Sequence, residues 1–220
     1  MPYRCEAASV EGFVQQLACN LVNKGYWHYV VGNIPPHKDP ALVDRKLIIR
    51  YGLDISKWTR ARRKASGHAN VAYLRYQRFF VLLATQGSHL LFEQEGGIKD
   101  IRRETIKFHG YCIGCGRGSD GRRHASVKMS AEAFGELQAH LMNICTHWSA
   151  DLIAAEFGRI RFIPFARIRR QFLRLLGEVN TARQAAGFSA VPVTCLKLRR
   201  TIYRPFKIDH DVVINSLVQE

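Results

Sequence analysis

The spacing of apolar residues along the chain alternates between a helical period and a strand-like period. Residues 9–24 place apolar side chains three and four positions apart, which predicts a helix that ends at Gly25. Residues 26–34 are aromatic and β-branched and predict a strand. Asp39 followed by Pro40 is typical of a helix start, because the acid caps the first turn and proline suits its first position.

Four further strands are expected in the middle of the chain. Residues 70–76 and 78–85 form two strand-like runs, and the second contains a short buried apolar stretch. Residues 104–113 and 124–129 predict two more strands, joined by a glycine-rich connection. After Ser130 the period becomes helical again, and it predicts one helix as far as Trp148 and another from Pro164 to Gly187.

These elements predict an α+β fold in which an antiparallel sheet is flanked by helices, with a helical C-terminal part. A ferredoxin-like build is one arrangement of that class. The composition changes near residue 130. We therefore expect a mixed α/β part over residues 1–130 and a basic helical part over residues 131–220, packed together as one compact unit.

The net charge of the chain indicates what class of molecule it binds. The chain has 33 Lys and Arg against 18 Asp and Glu, a net charge of +15, which is the electrostatic footprint of a nucleic-acid-binding protein. An anionic membrane surface and an acidic protein are the alternative partners. A hydrophobic content of 47% excludes a disordered chain. No apolar run is long enough to span a membrane and the N-terminus has no signal-peptide core, so the default expectation is a cytoplasmic protein without a membrane partner.

The strongest local pattern is a helix-turn-helix-like segment at residues 41–64. A helix, a turn centred on Gly52 and a basic second helix follow one another, with Leu53 and Trp58 expected in a small core between the helices. In a DNA reader the second helix enters the major groove. The alternative is an ordinary helical corner with a solvated basic face. The cations expected to face outward are Lys57, Arg60, Arg62, Arg63 and Lys64.

A second basic region lies in the C-terminal part, where Glu178 is the only acid between Arg159 and Lys207. The spacing of Arg167, Arg170 and Arg174 places them along one helix face, where they could follow a phosphate backbone. A basic amphipathic helix of this kind could also lie on an anionic membrane. The residues expected to extend the patch are Arg199, Arg200 and Arg204, with Tyr203 as a candidate for base stacking.

The segment 109–124 supports two hypotheses. Zinc binding would use the Cys-x-x-Cys pair with the two flanking histidines, a ligand set of His109, Cys112, Cys115 and His124. The other hypothesis is a glycine- and arginine-rich loop over residues 114–123 that grips phosphates through its backbone N–H groups. Its cations are Arg117, Arg122 and Arg123. The alternative to the zinc site is a hairpin that carries two thiols without binding a metal. The alternative to the phosphate-gripping loop is a flexible hairpin tip without a ligand. No other cofactor is indicated.

Signals for catalysis are sparse. A small nuclease or RNA-processing enzyme of ferredoxin-like build could use a His or Tyr general base next to a cation, and the candidates are His28, Tyr73 and His109. It could instead use a carboxylate-metal site built from Glu93, Glu95 and Asp100. The sequence favours a nucleic-acid-binding protein that grips the backbone of RNA or DNA, within a nucleoprotein complex containing other protein subunits. The enzyme is the alternative.

Overall fold

The computed structural model describes residues 3–199 and 201–206, and the chain divides into two compact units. Of the described residues, 3–100 and 203–206 belong to the first unit, and 101–199 with 201–202 belong to the second. The fold is α+β with a helical C-terminal part, about 42% helix and 20% strand. The change of composition near residue 130 lies inside the second unit, where its last strand meets the following helix.

The first unit begins with the helix predicted over residues 9–24. Its α-helical part, α1, spans Val10–Gln15, and the chain continues helically as a π turn over Gln16–Leu21 and a 3₁₀ turn over Val22–Lys24. The Ser9 hydroxyl caps its start by accepting the Gly12 N–H at 3.0 Å. Gly25 ends it with a φ of 93°, in the left-handed region that glycine adopts without strain.

A four-stranded antiparallel sheet forms the body of the first unit. The strand order is β2-β3-β1-β4, with helices after β1 and after β3, which is the β-α-β-β-α-β succession of a ferredoxin-like arrangement. The strands are β1 (His28–Asn33), β2 (Val71–Tyr76), β3 (Phe79–Ala84) and β4 (Lys99–Asp100). The connecting helices are α2 (Pro40–Arg50), α3 (Lys57–Ala65) and α4 (Leu91–Gln94).

The core of this unit lies over β2 and β3. A buried cluster joins Val71 and Tyr73 of β2 to Leu82 of β3, and Leu53 from the turn after α2 belongs to the same cluster. Leu47 of α2 packs against it. Leu53, which was expected in a separate core between two helices, is therefore part of the core of the sheet.

The second unit combines a three-stranded antiparallel sheet with three helices. The strands are β5 (Ile106–Phe108), β6 (Tyr111–Arg117) and β7 (Arg123–Met129), and the helices are α5 (Ala131–Ile144), α6 (Ala150–Arg159) and α7 (Ala166–Ala185). Helix α7 lies against β7 and α5, and buries Phe172, Leu175 and Val179. The Ser130 hydroxyl accepts the Ala133 N–H at 3.2 Å and so caps the start of α5.

Three predicted boundaries in this unit are wrong. The strand expected over 104–113 turns at His109 and Gly110, both at positive φ, which ends β5 and starts β6. Residues 114–117 were expected in a connection, but Gly114 pairs with Ser126 and Gly116 with His124 in the β6–β7 ladder. The helix expected to reach Trp148 ends at Ile144, and α6 follows as a separate helix.

Candidate nucleic-acid interface

Helix α3 forms from a capped, strongly basic stretch of nine residues. The Ser56 hydroxyl accepts the Thr59 N–H at 3.1 Å and so satisfies one of the free donors of the first turn. The last turn carries Arg62, Arg63 and Lys64, whose positive charge is favourable at the carbonyl end of a helix. The helix contains no acidic residue and fully buries none of its own residues.

The basic side chains of α3 divide between two sides of the helix. Lys57, Arg62 and Lys64 are exposed, and no hydrogen bond or ion pair of their side chains occurs within residues 3–199 and 201–206. Arg63 is half-buried; its guanidinium lies near Gly52 and acts electrostatically on His89. Lys57, Arg62 and Lys64 are called the α3 cations below.

Arg60 was expected to face outward, and that prediction is wrong. Its Nη2 donates to the Leu53 carbonyl at 2.9 Å and its Nε to the Ile55 carbonyl at 3.4 Å, so the guanidinium holds the turn between α2 and α3. The Arg60 carbonyl in turn accepts the Asn70 side-chain N–H at 2.9 Å. These contacts give Arg60 a structural role, because two of its donors hold carbonyl groups of the protein.

Trp58 was expected in the core, and that prediction is also wrong. Its side chain is 80% exposed, whereas Trp27 and Trp148 are both half-buried. The residues of α3 that turn toward the protein include Thr59 and Arg60, which are polar. The helix therefore presents its aromatic ring to solvent and its polar side chains to the rest of the unit, the reverse of the usual amphipathic pattern.

The hairpin tip between β6 and β7 is ordered by its own hydrogen bonds. The Gly118 N–H donates to the Arg122 carbonyl at 2.8 Å and the Gly121 N–H to the Gly118 carbonyl at 3.1 Å. Asp120 accepts the Arg122 N–H at 3.0 Å and contacts His124 Nε2 at 2.9 Å. These bonds hold the pKa of Asp120 below its usual value, with the His124 contact as the larger cause.

Three of the N–H groups at the tip are therefore engaged within the hairpin. The donors of Gly118, Gly121 and Arg122 are already bonded within the hairpin, and an N–H group donates to one strong acceptor at a time. The tip also carries side-chain charge. Arg117 and Arg122 are exposed, and Arg123 is half-buried.

Helix α7 uses part of its charge for packing. Arg167 and Arg170 are exposed, as expected. Arg174 pairs with Glu178 at 3.2 Å, and its guanidinium lies 5.0 Å from the centre of the Phe134 ring. Arg183 is fully buried. It donates to the carbonyls of Cys145 at 2.6 Å, Trp148 at 2.8 Å and Ser189 at 2.7 Å, which ties the end of α7 to the segment before α6.

The residues expected to extend the C-terminal patch belong to different units. Arg199 is exposed in the second unit, whereas Tyr203 and Arg204 belong to the first. Tyr203 is half-buried and its backbone N–H donates to the Gln15 side chain at 3.0 Å, while Arg204 is exposed. Arg200 lies outside the described residues.

The geometry of β6 gives no support to the zinc hypothesis. Cys112 and Cys115 lie three positions apart on one strand, so their side chains point to opposite faces of the sheet, and both are buried. His109 sits in the β5–β6 turn, and His124 is held by Asp120. Among residues 3–199 and 201–206 no three His, Cys, Asp or Glu side chains converge as a metal-binding group.

The candidate catalytic residues differ in their local surroundings. His28 is half-buried on β1 and its ring meets Phe92 edge to face at 5.5 Å. Tyr73 is 1% exposed and donates its hydroxyl to Asp44 Oδ1 at 2.6 Å. Burial and this hydrogen bond raise the pKa of Tyr73, so its phenol stays protonated and is a poor general base. His109 belongs to the second unit.

The structure instead gathers a buried polar cluster that the sequence analysis did not identify. Arg75 of β2, 4% exposed, donates to both oxygens of Asp44, through Nε at 2.9 and 3.0 Å and through Nη2 at 2.8 Å. Arg75 Nη2 also lies 3.1 Å from a Glu6 oxygen. Burial by itself would lower the pKa of Arg75, but the hydrogen bonds and charge of Asp44 raise it, so the guanidinium stays charged.

A sequence signal for this cluster existed. Asp44 lies three and four positions before Leu47 and Ile48, which places an acid on the inward face of a predicted helix. Arg75 interrupts an otherwise apolar predicted strand. A buried acid and a buried base in one small unit are expected to pair, because an isolated buried charge is costly.

Two clefts adjoin this cluster in the first unit. One, of about 480 Å³, is lined by Cys5, Glu6, Asp44 and Phe206 among others, and one of about 280 Å³ includes Tyr73 and Phe206.

The groups that line the larger cleft are not activated for catalysis. Burial, and after it the nearby Asp44, raises the pKa of the Cys5 thiol to about 12, so the thiol is protonated and inert as a nucleophile. Asp44 and Glu6 are both engaged by Arg75. The charged groups of the cluster therefore satisfy one another, and the arrangement offers no activated group.

The three carboxylates considered for a metal site, Glu93, Glu95 and Asp100, lie in different surroundings. The Glu95 carboxylate accepts a short hydrogen bond from the Tyr51 hydroxyl, which links α2 to the segment after α4. Burial and Glu95 together raise the pKa of Tyr51 to about 12. Glu93 is exposed, and Asp100 is half-buried on β4.

No helix within the described part of the chain has the length and apolar character needed to cross a membrane. Comparison of the chain with protein-family models, with curated proteins and with solved structures finds no match in any of the three.

Proposed function

We propose that the protein binds nucleic acid and that the α3 cations make its principal phosphate contacts. The net charge of +15 supports a polyanionic partner. Phosphate contact is independent of base sequence, so this function applies to both RNA and DNA.

The observation that carries the proposal is the unopposed charge on α3. Lys57, Arg62 and Lys64 are exposed on a helix without an acid, and their side chains have no partner among the described residues. Like charges at such short spacing repel one another. A phosphate backbone relieves that repulsion and releases its counterions on binding.

The second unit supports the proposal with cations of its own. Arg117 and Arg122 at the hairpin tip, and Arg167 and Arg170 on α7, are exposed. Arg167 and Arg170 lie three residues apart on one helix face, so both can approach one phosphate strand.

The nuclease alternative gains no support from the geometry, because Tyr73 is a buried donor and His28 packs against Phe92. Membership of a larger nucleoprotein complex and a cytoplasmic location stay predictions from the sequence.

The test is a fluorescence-anisotropy titration of labelled single-stranded DNA, single-stranded RNA and duplex DNA, each at several salt concentrations from about 50 to 200 mM. The full chain is compared with a triple variant, Lys57→Gln with Arg62→Gln and Lys64→Gln. The matched control removes the same number of charges from exposed lysines on other elements: Lys24→Gln, Lys38→Gln and Lys46→Gln.

The proposal predicts salt-dependent binding that the α3 variant loses and the control variant largely keeps. The absence of binding to all three polymers would contradict it. Equal losses in the two variants would also contradict it, because they would trace the binding to net charge and not to α3. Cleavage of the bound oligonucleotide in the same titration would revive the nuclease alternative.

A further inference from the structure

Trp58 occupies the centre of the exposed face of α3. Ala61 and Ala65 follow it at three and seven positions, so the three residues share one side of the helix, and all three are exposed. The two alanines are too small to cover the indole. One face of the ring system is therefore open to a flat partner, with low side chains beside it.

The α3 cations flank this ring. Arg62 lies one helical turn after Trp58, at four positions. Lys57 and Lys64 lie on the other side of the row formed by Trp58, Ala61 and Ala65. They are seven residues apart and so share one helix face. An aromatic ring with positive charge on both sides is the combination that binds a single strand of nucleic acid, because the ring stacks on a base while the cations hold the phosphates.

The fold gives no reason for this ring to face solvent. Thr59 and Arg60 take the inward positions of α3, and Arg60 bonds to the carbonyls of the preceding turn. An indole that is 80% exposed contributes little to the core. Its surface is available to a ligand.

We infer that the exposed face of α3 binds single-stranded nucleic acid by stacking an unpaired base on Trp58. This inference rests on the proposed function and names its substrate class. Duplex DNA keeps its bases stacked on one another, so the indole reaches a base face there only after a base step has been unstacked, at a cost in free energy. In a single strand the base faces are accessible.

The experiment compares Trp58→Leu, which removes the ring, with Trp58→Phe, which keeps a smaller one, both in the full chain. Each is titrated by anisotropy with a labelled oligothymidylate of about 12 nucleotides and with a duplex of the same length. A parallel titration of unlabelled oligothymidylate follows the tryptophan fluorescence. Because Trp58 is exposed, circular dichroism and thermal melting of both variants should match the parent chain.

Trp58→Leu should weaken binding of the single strand by about 5- to 150-fold, the range measured for loss of one stacked base. Trp58→Phe should lose about 3-fold or less. Duplex affinity should change little in either variant, and the slope of affinity against salt should be unaffected, since stacking releases no counterion. Quenching of the parent protein by oligothymidylate should disappear in Trp58→Phe, where only Trp27 and Trp148 remain.

Unchanged single-strand affinity in Trp58→Leu would overturn the inference, as would equal losses for single strand and duplex. Both results are distinguishable from failure of the proposed function. If the α3 charge variant loses binding while Trp58→Leu does not, the α3 cations contact phosphates but Trp58 does not stack on a base. If neither polymer binds the parent chain, both proposals fall together.

Discussion

Helix α3 in the first unit and helix α7 in the second are both rich in arginine, but they use the charge differently. On α3, Lys57, Arg62 and Lys64 have no side-chain partner among the described residues, and Trp58 faces solvent between them. On α7, Arg183 is buried against three carbonyls and Arg174 is paired with Glu178. A count of basic residues therefore overstates the number of α7 side chains that are available to a ligand.

The largest expected effect is on stability and concerns α7. Arg183→Met should destabilise the second unit by about 3 to 5 kcal/mol, because three carbonyls lose the donor that satisfies them inside the protein. Urea unfolding followed by circular dichroism measures the change. The control on the same helix is Arg167→Met, an exposed position, which should change the free energy of unfolding by about 0.5 kcal/mol or less. Equal effects of the two substitutions would show that the buried contacts carry no special weight.

Next in size is the loss of binding on neutralising α3. The triple variant Lys57→Gln, Arg62→Gln and Lys64→Gln should reduce single-strand affinity by about 10- to 100-fold. It should also lower the slope of log affinity against log salt by about 2, since about 0.7 counterions are released for each phosphate contact. Anisotropy titrations at several salt concentrations give both quantities. Loss of affinity with an unchanged slope would mean that these cations act through the fold and not through phosphates.

A smaller effect is expected from the exposed pair on α7. Arg167→Ala with Arg170→Ala should weaken binding by about 3- to 10-fold and flatten the salt slope by about 1, because these two exposed arginines have no side-chain partner among the described residues. The same titration with Arg174→Ala provides the contrast. That variant should bind like the parent and lose about 1 kcal/mol of stability or less, through its contacts with Glu178 and Phe134. If Arg174→Ala weakens binding as much as the double variant, Arg174 contacts the ligand just as Arg167 and Arg170 do, and its assignment to packing is wrong.

The smallest effect is a pH dependence in the region that supports α3. His89 is half-buried; its Nδ1 accepts the Leu91 N–H at 3.0 Å, and burial, together with the charge of Arg63, lowers its pKa. The unfolded chain then binds more protons than the folded chain just below the ordinary histidine pKa of about 6.5. The stability gained from neutral His89 is present above that pH and is lost as the pH falls.

Unfolding free energies measured from about pH 7.5 to pH 5 should therefore fall by less than about 1 kcal/mol because of this group. His89→Asn keeps an acceptor for the Leu91 N–H and removes the titration. Its stability should be flatter over the same range. A parent chain and a variant with identical pH profiles would show that the His89 pKa is not lowered.

The alternation of apolar and polar residues was sufficient for most elements of the first unit. It identified β1, β2 and β3 and the capped start of α2, because those segments follow one period and carry recognisable caps. It failed over residues 114–117, where glycines weaken the signal of a strand although β7 pairs with each residue. It also failed at α6, which is short and follows α5 after a break of only a few residues.

The site was less predictable than the fold, for a physical reason. Residue type does not say whether a basic side chain faces solvent or caps a carbonyl, as the contrast between Arg62 and Arg60 on one helix shows. Aromatic residues are usually buried, so Trp58 was assigned to the core. The Asp44–Arg75 pair joins helix α2 to strand β2, 31 positions apart in the chain, and only the tertiary fold brings the two side chains together.

The most direct test of the central claim is photo-crosslinking of the full chain to an oligonucleotide containing 4-thiouridine, with the crosslinked peptide identified by mass spectrometry. We expect the main crosslink to map to the peptide containing Trp58 and to be lost in Trp58→Leu. Crosslinks confined to segments outside α3, with none at Trp58, would contradict the claim that this helix is the nucleic-acid-binding surface.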